Sequence, residues 1–298
     1  MNTELLEKYK IIRNGGTGYF KSGRGLIEVS GKEAVQFLNG LITNDVARLE
    51  EGEQMSAAFP NAQGRLLALV KVKRRNEKFL FETEAATHEK VFQNLFRFTF
   101  AGDFFVEDLS ENYENFEIQG TLFNAQNSEN IEFQTNYGST YFVPKDGVEN
   151  FTNDLIERKA IEITEELHEI FRIENGIPKY GAEWDETTIV PELGIENLIS
   201  YNKGCYIGQE IIARIYFRGH VAKQLKGLIF EDEAAQVASN DEIKSPEGKN
   251  AGKVTSVTFS PKLNKIIALA FVRYDYLAEG TGLMINDCAA RVKNLPFV

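Results

Sequence analysis

Apolar positions along the chain follow two regimes, with the change near residue 222. Before it, strand-like and helix-like periods alternate. Arg24 to Val29 carries Leu26, Ile27 and Val29 in a short extended run. Ala34, Phe37, Leu38, Leu41 and Ile42 then recur at the three- and four-residue spacing of one helix face. Ser30, with Glu33 three residues on, reads as a capping box opening that helix. Leu66 to Val72 reads as a buried strand, Phe79 to Glu82 as its partner, and Val91, Phe92, Leu95 and Phe96 mark a second helix. The phenylalanines crowded between Phe92 and Phe105 read as core. Glu111 to Ser139 shows short apolar alternations of antiparallel strands and loops. Leu167, Ile170 and Phe171 predict a third helix that stops at Asn175-Gly176, ahead of Pro178. Gly15, Gly16, Gly18, Gly23 and Gly25 match no dinucleotide or phosphate-loop fingerprint and read as turns.

Beyond residue 222 no long helical period remains. Leu225 to Phe230, Gly252 to Phe259, Lys265 to Arg273 and Leu283 to Val292 are short β-rich runs separated by Gly, Pro, Asn and Asp. They predict a small antiparallel barrel or sandwich. The expectation is an α+β chain with a body over residues 1–222 and an all-β module over 223–298.

Composition narrows the setting. The longest apolar run, Ile266 to Val272, is too short to span a bilayer. Met1 to Lys8 lacks the basic start and apolar stretch of a signal peptide. The two cysteines, Cys205 and Cys288, make neither a disulfide framework nor a metal-ligand spacing. A cytoplasmic protein without a membrane partner is expected. The net charge of −11 is unevenly spread, with eight Asp or Glu and no basic residue between Arg97 and Lys145. Such a surface repels phosphate backbones and argues against direct nucleic-acid binding. From Tyr201 to Lys226, in contrast, Lys203, Arg214, Arg218, Lys223 and Lys226 face only Glu210. That stretch is either a solvated face or a site for an anionic ligand.

The densest chemistry lies within it. Tyr201-Asn202-Lys203-Gly204-Cys205-Tyr206-Ile207-Gly208-Gln209-Glu210 sets a cysteine between two glycines, which leave a sulfur uncovered. A helix starting near Gly208 and the charge of Lys203 would both favour the thiolate. The alternative is a small buried hydrophobe, the usual state of a free cysteine and the expected one for Cys288. In Arg172-Ile173-Glu174-Asn175-Gly176, Glu174 stands at a helix C-terminus, where the dipole opposes a carboxylate. Either another group requires Glu174 there, such as the amino-pyrimidine edge of a pterin, or it is solvated at a frayed end. Phe59-Pro60-Asn61-Ala62-Gln63-Gly64-Arg65 is a turn into the Leu66 strand, with Arg65 over a cleft or in water.

Lys203-Gly204-Cys205-Tyr206-Ile207-Gly208-Gln209-Glu210 resembles, without a gap, the signature of the YgfZ-like proteins of the glycine-cleavage T-protein superfamily. Arg172 to Gly176 with Tyr180-Gly181, Asn61 to Arg65, and Phe37 to Val46 resemble further segments of that superfamily in the same order. The resemblance implies two interleaved folate-binding lobes of antiparallel sheet with helices, plus a C-terminal antiparallel β-barrel. It implies tetrahydrofolate, or a one-carbon derivative, as ligand, Glu174 as the pterin clamp and Cys205 as the functional thiol. Asn61, Arg65, Arg172, Lys203, Tyr206, Gln209 and Arg214 are the further candidate folate contacts it suggests. It also implies a role in assembly or repair of iron–sulfur proteins, and through them in tRNA modification.

One departure matters for enzymatic activity. Aminomethyltransferases of the superfamily carry an acidic residue on the strand after the Gly-Arg turn, whereas this strand reads Leu66-Leu67-Ala68-Leu69-Val70-Lys71. A folate-dependent one-carbon transferase remains the alternative, and it would need a carboxylate from elsewhere, such as Asp45 or Glu210. A cysteine nucleophile using His220 as base and a pure protein-binding module are the other readings.

Overall fold

The computed structural model describes residues 3–120, 128–232 and 234–298. The chain begins with helix α1 (Thr3–Arg13), strands β1 (Thr17–Ser22) and β2 (Gly25–Ser30) and helix α2 (Ala34–Leu41). Strands β3 (Gln54–Pro60), β4 (Leu66–Arg75) and β5 (Lys78–Thr83), helix α3 (Ala85–Phe96) and strand β6 (Phe105–Asp108) follow. Then come β7 (Tyr113–Gly120), β8 (Ile131–Thr135), β9 (Gly138–Pro144), α4 (Val148–Glu157) and β10 (Ile161–Glu162). Helices α5 (Glu165–Glu174) and α6 (Gln209–Arg218) precede β11 (Lys223–Phe230) and β12 (Glu242–Lys244). The last four strands are β13 (Asn250–Ser260), β14 (Lys265–Arg273), β15 (Gly282–Ile285) and β16 (Cys288–Lys293).

Two compact units result. One comprises Lys10–Ile163 and Glu196–Ala213 and holds two five-stranded sheets, ordered β3-β4-β5-β2-β6 and β10-β1-β7-β9-β8. Every pairing is antiparallel except β1 with β10. The strands of the first sheet are inserted between β1 and β7 of the second, so the lobes interleave. On β4, Leu66, Ala68, Val70 and Val72 are buried while Leu67, Leu69, Lys71 and Lys73 are half-buried, the alternation of a pleated strand. Of these, Ala68, Val70 and Val72 pack with Leu38 and Leu41 of α2 and Val91 and Leu95 of α3. Phe116, Ile118, Tyr141 and Val143 of the other sheet pack on Phe151 and Leu155 of α4.

The other unit contains the stretch up to Tyr9, Thr164–Ile195 and Arg214–Val298. Its six strands close into a barrel in the order β11-β14-β13-β12-β15-β16, completed by β11 against β16. Leu228, Phe230, Ile243, Val254, Ala270, Leu283 and Val292 fill the interior. The barrel begins at Lys223, and its unit also takes in α5. The chain is thus α+β with a C-terminal antiparallel barrel.

Several local expectations are corrected. Ser30 does not cap α2, because Gly31 turns the chain at φ +111 and the helix starts only at Ala34. Glu33 takes the N-cap position, and its carboxylate accepts the Asp103 amide at 2.7 Å. The phenylalanine cluster is only partly core. Phe104 is fully buried, but α3 ends at Phe96 and the turns beyond it carry Phe100 outward, 86% exposed. Gly18 and Gly25 lie in strands rather than turns. Of the alternation expected from Glu111 to Ser139, residues 121–127 lie outside the described residues. Among the described residues no helix is long and apolar enough to cross a bilayer.

Candidate functional site

In the two-sheet unit, the cysteine motif is a loop held at both flanks. Upstream, Lys203 turns inward to the C-terminal end of α2, where Nζ donates to the carbonyls of Asn44 (2.6 Å) and Ile42 (2.9 Å) and, more weakly, to Asn39 Oδ1 (3.4 Å). Ile42 is the C-cap of α2, at an end whose carbonyls lack intrahelical partners, and Asn44 lies two residues beyond it. The Tyr206 ring lies 5.2 Å from the same ammonium, and burial holds the Tyr206 phenol well above its usual pKa. Burial likewise lowers the Lys203 pKa to about 8, against the opposing charge of Asp45. Just past the cysteine, the Ile207 amide donates to Gly40 O at 3.0 Å.

Downstream, the loop meets the Asn61 turn. Gly208 has φ +80, and a Cβ built there would lie 2.3 Å from Asn61 O, so only glycine lets the two backbones approach. The Asn61 side-chain carbonyl accepts the amides of Gln63 (2.9 Å) and Arg65 (3.0 Å), which makes Asn61 the organiser of its own turn. Gln209 Oε1 accepts the Tyr206 amide at 3.2 Å as α6 begins. Between these anchors Cys205 is exposed, and a Cβ on Gly204 would meet nothing within 4 Å. The thiol is therefore presented to solvent rather than packed, while Cys288 is half-buried against the barrel core. Arg65 is exposed, and its side chain has no hydrogen-bonded or ionic partner among the described residues.

No carboxylate stands on β4 between Leu66 and Lys71, but sequence reasoning missed one on the neighbouring strand. Glu82 of β5 pairs in register with Lys71 and is 1% exposed. It binds Lys71 at 2.9 Å and Arg24 at 3.3 Å, and Thr140 donates to it at 3.3 Å. Arg24 also holds Glu117 at 2.9 Å. Burial lowers the Arg24 pKa, and the two carboxylates more than reverse the effect. Glu82 is thus a buried carboxylate matched by two basic side chains. Asp45 is committed as well, accepting from Asn39 Nδ2 (2.9 Å) and the Ala47 amide (3.1 Å) and pairing with Arg48 (3.3 Å). Glu210 is exposed on α6.

In the barrel unit, Glu174 is 0% exposed at the last turn of α5. Tyr9 Oη lies 2.8 and 3.0 Å from its two oxygens, and the Ser260 hydroxyl donates to Oε1. The carboxylate that opposes the helix dipole is therefore held by two hydroxyls of the same unit. Arg172 is buried beside it in sequence and bridges Glu183 (2.8 Å) and Glu169 (2.6 Å), with Ser256 Oγ at 2.9 Å. Burial opposes the Arg172 charge, but the Glu169 hydrogen bond and the Glu183 carboxylate outweigh it and raise the pKa. Glu183, fully buried and bonded by Thr255 and Ser256, carried no sequence signal beyond its place after Gly181.

The basic stretch from Tyr201 to Lys226 does not act as one patch. Lys203 is committed inside its loop, Lys223 lies 4.4 Å from the Phe271 ring, and Lys226 binds Asn294 at 2.8 Å. Arg214 and Arg218 are exposed on α6. His220 is engaged by a stacked contact with Tyr274, ring centroids 3.5 Å apart.

The chain is similar to known proteins along most of its length. The family model for the GCVT N-terminal domain matches residues 6–125, and that for the glycine cleavage T-protein C-terminal barrel domain matches residues 223–298. An aminomethyltransferase of Thermosipho melanesiensis is 27% identical over 92% of this chain and 82% of its own length. One from Rubrobacter xylanophilus is 28% identical over 97% and 85%. The crystal structure of glycine cleavage system aminomethyltransferase T from Bartonella henselae shares the fold, with a TM-score of 0.88 at 20% identity over 99% of this chain and 89% of that one. By these two domain matches and the shared architecture, the chain belongs to the glycine-cleavage T-protein superfamily.

Proposed function

We propose that this protein is a tetrahydrofolate-binding member of the YgfZ-like branch that supports assembly or repair of iron–sulfur proteins through the Cys205 thiol. The observation that carries the reading is the exposed Cys205 on a loop fixed on both sides, beside a β4 strand that offers no carboxylate. A positioned acid or base contributes typically about 10²–10⁴ in rate, so its absence weighs against transfer chemistry.

Tetrahydrofolate fits part of the residue set. In the two-sheet unit, the exposed guanidinium of Arg65 suits a glutamyl carboxylate of a folate tail, and Arg214 is a separate exposed candidate at the start of the barrel unit's last segment. Gln209 and Tyr206 flank the thiol loop as candidate contacts. Lys203 and Asn61 have structural partners, and Arg172 is neutralised by its carboxylates. Recognition of a pterin by Glu174 requires that it displace or share the hydroxyls of Tyr9 and Ser260. The test is calorimetric titration of wild-type protein, Arg65→Ala and Cys205→Ala with tetrahydrofolate, beside an iron–sulfur enzyme assay in cells. The reading expects weaker binding in Arg65→Ala. For Cys205→Ala it expects near-normal binding and loss of cellular function. Full cellular activity of Cys205→Ala would sink the role of the thiol.

A second reading, folate-dependent aminomethyl transfer, is favoured by the aminomethyltransferase relatives. Its carboxylate would come from Asp45 or Glu210. Formation of methylene-tetrahydrofolate from an aminomethyl donor, lost in Asp45→Asn or Glu210→Gln, would support it. No turnover at high protein concentration counts against it.

A further inference from the structure

Lys203 was a candidate folate contact, yet its amine faces the end of α2. The two short donations, to Asn44 O and Ile42 O, reach backbone carbonyls at and just beyond the C-cap of α2, and the third acceptor, Asn39 Oδ1, is 3.4 Å away. Asn39 Oδ1 also accepts the Val46 amide at 2.9 Å, so the acceptors are themselves part of a built corner. Two residues along the chain stands Cys205, whose own flank is open. We propose that Lys203 is a positioning residue, a clasp that fixes the Cys205 loop on the C-terminal corner of α2 and so sets where the thiol stands. The proposal deepens the thiol reading and rests on it for its purpose.

The clasp is linked to protons. Its acceptors are neutral, and the facing charged or titratable groups are Asp45, already paired with Arg48, and the Tyr206 phenol, which lies near Tyr201. A neutral amine keeps two N–H donors, enough for the two short bonds. When the loop leaves the corner, the amine returns to water and to its ordinary pKa of about 10.4. The docked loop therefore binds fewer protons than the released one between about pH 8 and pH 10. Docking strengthens as pH rises through that window and is weakest below it.

The experiment measures alkylation of Cys205 in a Cys288→Ser background, dividing each rate by the thiolate fraction read from thiolate absorbance, from about pH 6 to about pH 10. Docking leaves the sulfur exposed but fixes its orientation and so narrows the approaches open to a reagent, and wild-type protein is expected to alkylate several-fold more slowly per thiolate at the alkaline end. Lys203→Met is expected to react faster than wild type there, with no pH step. Lys203→Arg, charged throughout, should also lack the step. Hydrogen exchange of the peptide covering residues 201–208 at neutral pH should be faster in Lys203→Met. A flat wild-type profile, or a Lys203→Met profile superimposable on it, overturns the proposal. Should Lys203→Met fail to fold, the wild-type profile still decides. No folate enters the assay, so its failure and a failed folate titration are separate results.

Discussion

The hydroxyl of Tyr9 lies 2.8 and 3.0 Å from the two carboxylate oxygens of Glu174, across 165 positions of sequence. The Tyr9 ring also stacks on Phe171, one helical turn before Glu174, at 5.3 Å between centroids. A buried carboxylate stripped of a donor keeps its desolvation cost, typically about 1–3 kcal/mol per lost partner and more for a charged group. Tyr9→Phe retains the stack and removes only the donor. It should lower the stability of the barrel unit by about 1–3 kcal/mol. Glu174→Ala also opens a cavity under Tyr9 and Ser260, so it should lose more. Denaturant midpoints for the two variants, with the slope checked for constancy, measure both effects.

The Arg172 cluster makes a prediction for acid. Burial pushes the Glu169 carboxyl up in pKa, but the hydrogen bond and charge of Arg172 outweigh it and hold the group below its usual range. A carboxyl with a depressed folded-state pKa stabilises the fold above its unfolded value, about 4.3, and that contribution fades as pH falls through the folded value. The thermal midpoint of wild-type protein should therefore drop more steeply below about pH 4.3 than that of Glu169→Gln. Parallel curves would remove Glu169 from the acid response.

Arg24 sits between Glu82 and Glu117 in the two-sheet unit, with Lys71 as the only other ion-pair partner described for Glu82. Arg24→Met removes the buried Arg24–Glu117 pair from one side and should destabilise by about 3–5 kcal/mol, the usual cost of such a break. Replacing Arg24 and Glu117 together, by Met and Gln, should recover part of the loss. A double-mutant cycle gives the coupling.

These clusters mark the boundary of what the sequence made legible. Periodicity and apolar runs found β2, α2, β4, β5, α3, α5 and the barrel strands, because each buries apolar side chains, on one face or on both, along a contiguous segment. It could not find Tyr9 over Glu174, Arg24 between Glu82 and Glu117, or Arg172 on Glu183. Each pairs residues from different elements, and nothing local in Arg24 or Glu82 announces the other. The motif around Cys205 was legible as glycines beside a cysteine, and its exposure followed. The task of Lys203 was not, since a lysine beside a cysteine suggests thiolate stabilisation equally well. Only the place of its amine at the end of α2 distinguishes the two. The misplaced capping box at Ser30 failed for a related reason, because Glu33 prefers the Asp103 amide, seventy positions away.

The two glycines flanking Cys205 should respond in opposite ways. At Gly208, φ is +80 and an added Cβ would lie 2.3 Å from Asn61 O, a backbone atom that cannot swing aside. Left-handed backbone alone costs a residue with a Cβ roughly 1–2 kcal/mol. The contact with Asn61 adds to that, because the loop or the Asn61 turn must move. Gly208→Ala should thus destabilise the two-sheet unit by more than about 2 kcal/mol. It should also raise the alkylation rate of Cys205 as the loop lifts from its seat. At Gly204 no neighbour lies within 4 Å of the added Cβ, and its φ is outside the left-handed region. Gly204→Ala should be neutral or stabilising by up to about 1 kcal/mol, through the entropy it removes from the unfolded chain. Urea melts of both variants with Cys205 alkylation rates distinguish the two positions. Equal effects would mean that the loop does not rest on Asn61 in solution.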